Sequence, residues 1–228
     1  MKKLTALLLC LMTILSSALA ADFSPANARA AQASALELMK VCAFGSEYGS
    51  AHDLARWEKP LLIFVGGNPT AADLNALDDF LIDLTVHVPM LPNVSIVKSK
   101  ADANITLYYV PLKEMGKYVT DYVDGNWGMF RVWWSNHQMT SAEIAIATDV
   151  TTQRARIHLM KEELVGVLGL CNDHDKYADS ILYQPWTTTQ ELSDVDWLML
   201  NMLYHPDAVP GMSWQYFYQT TNRRILDR

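Results

Sequence analysis

The run Leu61-Leu62-Ile63-Phe64-Val65, closed by Gly66-Gly67, is the strongest constraint on how this chain folds. Five consecutive apolar residues bounded by turn formers read as a short buried strand. Helical patterns flank it. Residues 26–43 are alanine-rich with Leu36, Met39 and Val41 at helical spacing, ending before Phe44-Gly45. Thr70 caps a second helix whose apolar stripe is Leu74, Leu77, Leu81 and Leu84, ending near Pro89. Residues 94–98 and 104–110 read as strands, and a short helix follows around 112–118. After the turn Asp124-Gly125-Asn126, residues 129–134 and 143–148 read as two more strands, joined through a polar segment, 135–141. Helix then spans roughly 151–168 and stops at Gly169, an irregular loop runs to Thr189, Ser193 caps a helix through Tyr204, and 212–226 forms the last. The order helix, strand, helix, four strands, helix, loop, helix predicts one α+β domain with a mixed sheet.

Residues 1–20 read differently. Lys2 and Lys3 precede a nearly unbroken apolar stretch over 4–15, and Ala18-Leu19-Ala20 supplies small residues for a cleavage site. This is the pattern of a secretory signal peptide, too short for an ordinary membrane span. Residues 21–228 are then a single exported domain, working in the periplasm or outside the cell. Cleavage removes two lysines and no acid, leaving 16 basic against 25 acidic groups, a net of −9. That balance argues against nucleic acid, and no later stretch is long and apolar enough to span a membrane. Half of the 228 residues are hydrophobic, so a sizeable core can form. The mature chain keeps Cys42 and Cys171. In an oxidising compartment they form either a disulfide, worth about 3–5 kcal/mol for so long a loop, or two buried thiols.

The chemistry-bearing segment is 158–204. It contains Glu162-Glu163-Leu164, Leu168-Gly169-Leu170, Asn172-Asp173, Ser180-Ile181-Leu182-Tyr183 and Leu192-Ser193-Asp194-Val195-Asp196 running to Leu203-Tyr204. These elements resemble the metzincin class of zinc metallopeptidases, which carry H-E-x-x-H-x-x-G-x-x-H on and after a helix, then a methionine turn and a closing helix. Ala101-Asp102-Ala103-Asn104-Ile105 entering a strand fits the same order. The chain is most similar to a group of secreted bacterial proteins of unknown function that share Phe44 to Tyr48, Arg56 to Pro60 and the 162–173 segment. The resemblance implies a zincin-like fold with an active-site-type helix and a C-terminal helical subdomain. The ligands depart from it. Alignment on Gly169 puts Glu162, Gly166 and Asn172 where the three histidines belong, with Glu163 at the general-base position and Leu182 in place of the turn methionine. Asp173 serves as an acidic third ligand only if the loop shifts by one residue.

Read without the family, His158, Glu162 and Gly166 form a column on one helix face. His158 and Glu162 have the spacing of a ligand pair, with His174, Asp173 or Asp175 as a third, or of a surface helix pair worth a few tenths of a kcal/mol. Gly166 inside a helix costs about 1 kcal/mol against alanine, so a close neighbour is expected in the space a histidine would fill. Glu163 borders the apolar stripe and reads as a surviving general base or as a structural acid held by the following loop. The run Asn172-Asp173-His174-Asp175 is oxygen-rich, which leaves calcium open, though a self-bonded polar turn is its usual meaning. Trp127, Phe130, Trp133 and Trp134 are expected mainly in the core, with a ligand-binding aromatic face as the alternative. The expected cleft comprises Glu162, Gly166, Asn172, Asp173 and Tyr183. No cofactor is expected, with zinc and calcium both left open. The expected function is a pseudopeptidase that binds a peptide, protein or envelope component; the alternative is a hydrolase of altered chemistry built on Glu163.

Overall fold

The structure is a computed structural model and describes residues 25–45 and 50–226. Residues 1–20, where a signal peptide is expected, and Ser46 to Tyr48 lie outside the described residues. In chain order the elements are α1 (Pro25–Cys42), β1 (Leu61–Gly67), α2 (Ala71–His87), β2 (Val94–Val97), β3 (Ile105–Val110), β4 (Gly128–Ser135), β5 (Gln138–Ala147), α3 (Gln153–Val167), α4 (Asp194–Leu203) and α5 (Trp214–Leu226), with 3-10 turns at Lys100–Asp102 and Leu112–Lys117. The expected α+β class with a mixed sheet is what forms. Strand order is β2-β1-β3-β5-β4. β2, β1, β3 and β5 run parallel, and β4 returns antiparallel at the edge, with Phe130 opposite Ile144. α3 packs on β4, β5 and α2, while α1 packs on α4 and α5. No helix among the described residues is long and apolar enough to cross a membrane.

Two details differ from the pattern reading. The polar segment 135–141 is not a connector. Asn136 (φ 51°) and His137 (φ 60°) make a two-residue left-handed turn, and β5 begins at Gln138. Asparagine tolerates that conformation, and the turn matches the twist of a hairpin. In α2, Leu77, Phe80, Leu81 and Leu84 face the core, whereas Leu74 lies at the margin of that face and is exposed.

α3 is the centre of the molecule. Ten of its fifteen residues are buried, His158, Lys161 and Glu163 among them. Burial on nearly every side leaves its terminal backbone groups without water, so they need partners from the protein. Thr152 caps the start by accepting from the Ala155 N–H. At the other end Trp57 Nε1–H donates to the Val167 carbonyl at 2.9 Å, and Tyr204 O–H donates to the Leu168 carbonyl at 2.8 Å. Gly169, at φ 118°, turns the chain out of the helix. Arg56 Nη1 donates to the carbonyls of Leu203 and His205 and so closes α4. The start of α4 is a capping box between Ser193 and Asp196. Fully buried Asp196 also accepts from Ser180 Oγ (2.6 Å) and the Ile181 N–H (3.0 Å), which fixes the 180–183 turn.

Cys42 and Cys171 are buried free thiols, so the disulfide expected as one alternative is not formed. Cys171 Sγ–H instead points at the Gly166 carbonyl, 3.4 Å away. Burial pushes the Cys171 thiol up to about 12 and raises Cys42 further.

Replacing Tyr204 by Phe keeps the ring and strands the Leu168 carbonyl. A loss of about 1–3 kcal/mol is expected in urea unfolding; a change within error would show that another donor serves that carbonyl.

Candidate functional site

β4, α3, the loop at 171–173 and Trp186 enclose an open cleft of ≈ 670 Å³. That lies in the range of small-molecule and peptide sites. β4 and the turn before it supply the aromatic wall. Trp127, Trp133 and Trp134 are 40%, 36% and 38% exposed, and Trp186 is 56% exposed. The ladder slips between Trp133 and Trp134, a local irregularity where the two indoles emerge together. Trp186 meets Trp127 edge-on at 5.3 Å and His158 edge-on at 5.8 Å. The expectation of core packing holds for Phe130, which packs against the core, and is corrected for Trp127, Trp133 and Trp134, which are exposed and line the cleft. A sheet residue is buried only where something packs on its face, and over these indoles the cleft is open.

α3 and the loop after it supply the acids, Glu162, Glu163 and Asp173. Glu163 is held against the strand. Its Oε1 lies 2.5 Å from the position a Cβ at Gly128 would take, so a side chain there would displace the carboxylate from its present place. Across the same interface Phe130 Cε1 lies 2.4 Å from the position of a Cβ at Gly166. The close neighbour expected at Gly166 is thus the Phe130 ring.

The other sequence candidates separate. Glu162 and Asp173 reach the cleft, but Asn172 and Tyr183 are absent from its lining, and Gly166 lies beneath Phe130. Asn172 Nδ2 stands beside Gly45, 3.2 Å from where its Cβ would be. Tyr183 forms a β-bridge with His174. His158 is not half of a surface pair: it is 2% exposed, and its Nδ1–H donates to the Thr189 carbonyl at 2.8 Å. Its Nε2 stands 3.6 Å from Glu162 Oε2. His174 is buried in a separate chain of bonds. The Lys176 N–H donates to its Nδ1, its Nε2–H donates to Ser180 Oγ, and Ser180 O–H donates to Asp196. His158 and His174 therefore serve different hydrogen-bond sets.

This donor set does not fit the zinc of the metzincin class. Of the three aligned ligand positions, Gly166 has no donor and Phe130 fills its space, and Asn172 faces Gly45. Among the described residues no group of three or more His, Cys, Asp or Glu is placed to hold a metal ion. The sequence pattern gave no hint of what Arg56 and Trp57 do; their cross-chain bonds to helix-end carbonyls have no local signature.

The chain belongs to the family described as "Protein of unknown function (DUF2927)", whose model matches residues 37–221. The search of curated proteins returned no match.

Two measurements follow from this geometry. Gly166→Ala gains about 1 kcal/mol of helix propensity but drives a methyl into the Phe130 ring, an overpacking cost of about 1–3 kcal/mol. In a Phe130→Ala background the same change is expected to stabilise by about 1 kcal/mol, and additivity across the double-mutant cycle would refute the contact. The second is pH dependence. Burial holds both the His158 and His174 imidazoles below their ordinary value. Unfolded histidines titrate near 6.5, so below that value the unfolded chain binds more protons than the fold. The stability they confer is fully present above about pH 6.5 and is lost as pH falls. Thermal melts between roughly pH 7 and 5.5 should show this decline, and His158→Gln with His174→Gln should flatten it.

Proposed function

We propose that this member of the DUF2927 family is an exported binding protein: a metzincin-like scaffold whose cleft takes a peptide, protein or envelope component and does not assemble the peptidase zinc. The single observation that carries this is Phe130 seated over Gly166. At that position a metallopeptidase helix presents its second histidine, and here a hydrocarbon ring fills the room for any ligand side chain. The metzincin likeness is supported by the antiparallel edge strand β4 bordering the cleft, by Glu162 and Glu163 on the helix behind it, and by the buried 180–183 turn beneath α4's Asp196. Binding is supported by the open cleft itself. Four indoles left in water are a cost to solubility that a ligand surface explains. Export is supported by the basic, apolar and small-residue order of 1–20.

Elemental analysis of protein purified without a histidine tag tests the reading. Zinc well below one equivalent per chain is the expected result, with no peptide hydrolysis on adding zinc. One tightly held zinc that disappears in Glu162→Ala, or casein cleavage abolished by Glu163→Gln, would reverse it in favour of a hydrolase.

A further inference from the structure

We infer, resting on the binding reading above, that the cleft recognises an extended glycan, whose pyranose rings stack on its indoles and whose hydroxyls bond the polar groups beside them. The shape of the cleft calls for a linear ligand. Its lining takes in every residue from Gly125 to Trp134, so it follows nearly the whole of β4. Aromatic groups mark both ends of that run. Trp127, just before the strand, meets Trp186 edge-on at 5.3 Å with the ring planes at 82°. Trp133 and Trp134 lie near the strand's other end, Trp134 against the His52 ring at 5.0 Å. Gly128 and Trp133 are five strand steps of ~3.3 Å apart, which sets the two groups roughly 16 Å from one another along the backbone. All four indoles are at least a third exposed.

Each indole presents a flat apolar face and an N–H donor that needs an acceptor once water leaves. Polar groups share the lining, Ser50, Asn126, Arg131 and Asp173 among them. A purely apolar chain would strip water from these groups and return no hydrogen bond. A pyranose ring meets both demands. Its C–H face lies on an indole, and each of its hydroxyls both donates and accepts. An ionised carboxylate has about four lone-pair sites and a guanidinium has five N–H donors. Asp173 and Arg131 can therefore bond a hydroxyl while keeping the partners they already hold, Asp121 in the case of Arg131. An extended peptide also brings acceptors, but its main chain has no apolar face, so stacking would fall to one particular side chain at each end. Every unit of a glycan carries such a face, which suits aromatic groups repeated along one cleft.

The test is a tryptophan-fluorescence and calorimetric titration of the whole protein. The probes are cellohexaose, chitohexaose, the disaccharide of each, and a blocked hexapeptide of alternating threonine and valine. Saturable binding of at least one hexasaccharide is expected, with its disaccharide about tenfold weaker because it reaches one aromatic group only. Trp133→Ala and Trp186→Ala should each weaken the hexasaccharide about tenfold with unchanged circular dichroism, and Trp186→Tyr should keep most of the affinity. Raising salt from roughly 50 to 300 mM should leave the affinity within about twofold, since the ligand carries no charge. Tighter chitohexaose assigns a polymer of N-acetylated amino sugars, and tighter cellohexaose assigns a plain glucan. No titration by either hexasaccharide, a disaccharide as tight as its hexamer, or an affinity indifferent to both alanine variants overturns the inference. So does a several-fold loss with salt, or a hexapeptide tighter than both glycans. The binding reading fails on different grounds, through stoichiometric zinc or peptide hydrolysis, so a peptide that outbinds both glycans would end the glycan and leave the binding protein standing.

Discussion

A helix buried on nearly all sides has to find hydrogen-bond partners for its ends inside the protein, and α3 is such a helix. Stranded carbonyls in a dry interior cost about as much as a lost hydrogen bond each. Trp57 and Tyr204 supply donors to Val167 and Leu168 from opposite ends of the chain. The segment before β1 and the helix α4 are thereby drawn to one point. Arg56, the neighbour of Trp57, then closes α4 by bonding the carbonyls of Leu203 and His205. Asp196 fixes the 180–183 turn from the start of the same helix. The Arg56-Trp57 pair that looked like a family marker is thus a clamp on two helix ends.

The interface between α3 and β4 is built by exchange. The strand sends Phe130 to a glycine on the helix, and the helix sends Glu163 to a glycine on the strand. Each glycine removes a Cβ that would collide with the visiting side chain. This interlock brings the helix and the edge strand into close contact. Glu163 from the helix and the indoles beside it on the strand line the same cleft.

Much of the fold was legible because it is written in local chemistry. Thr70 and Ser193 both sit three residues before an aspartate, and both form capping boxes. The apolar run at 61–65 became an interior strand, and Gly169 ended α3. Gly166 announced a close neighbour, though not which one. The failures have a common cause. A pattern reading scores a residue by its own polarity, whereas burial at a sheet edge or on an all-buried helix depends on what lies opposite. So Trp133 and Trp134 read as core and emerged in a cleft, and His158 read as surface and was buried under Trp186. Asn172 and Asp173 are adjacent and equally polar, and only the loop's path decides that Asp173 alone reaches the cleft.

The two donors at the end of α3 lie 110 and 36 residues from the carbonyls they serve. Contacts at such separations form only after large loops have closed, and the entropy of closure is lost before the bonds reward it. The helix can wind early from its own sequence, but its last turn stays open until β1's approach and α4 have both docked. Completion of the central helix is therefore a late event in folding, and a chain emerging from its N-terminus cannot seal its own core until residue 204 has arrived.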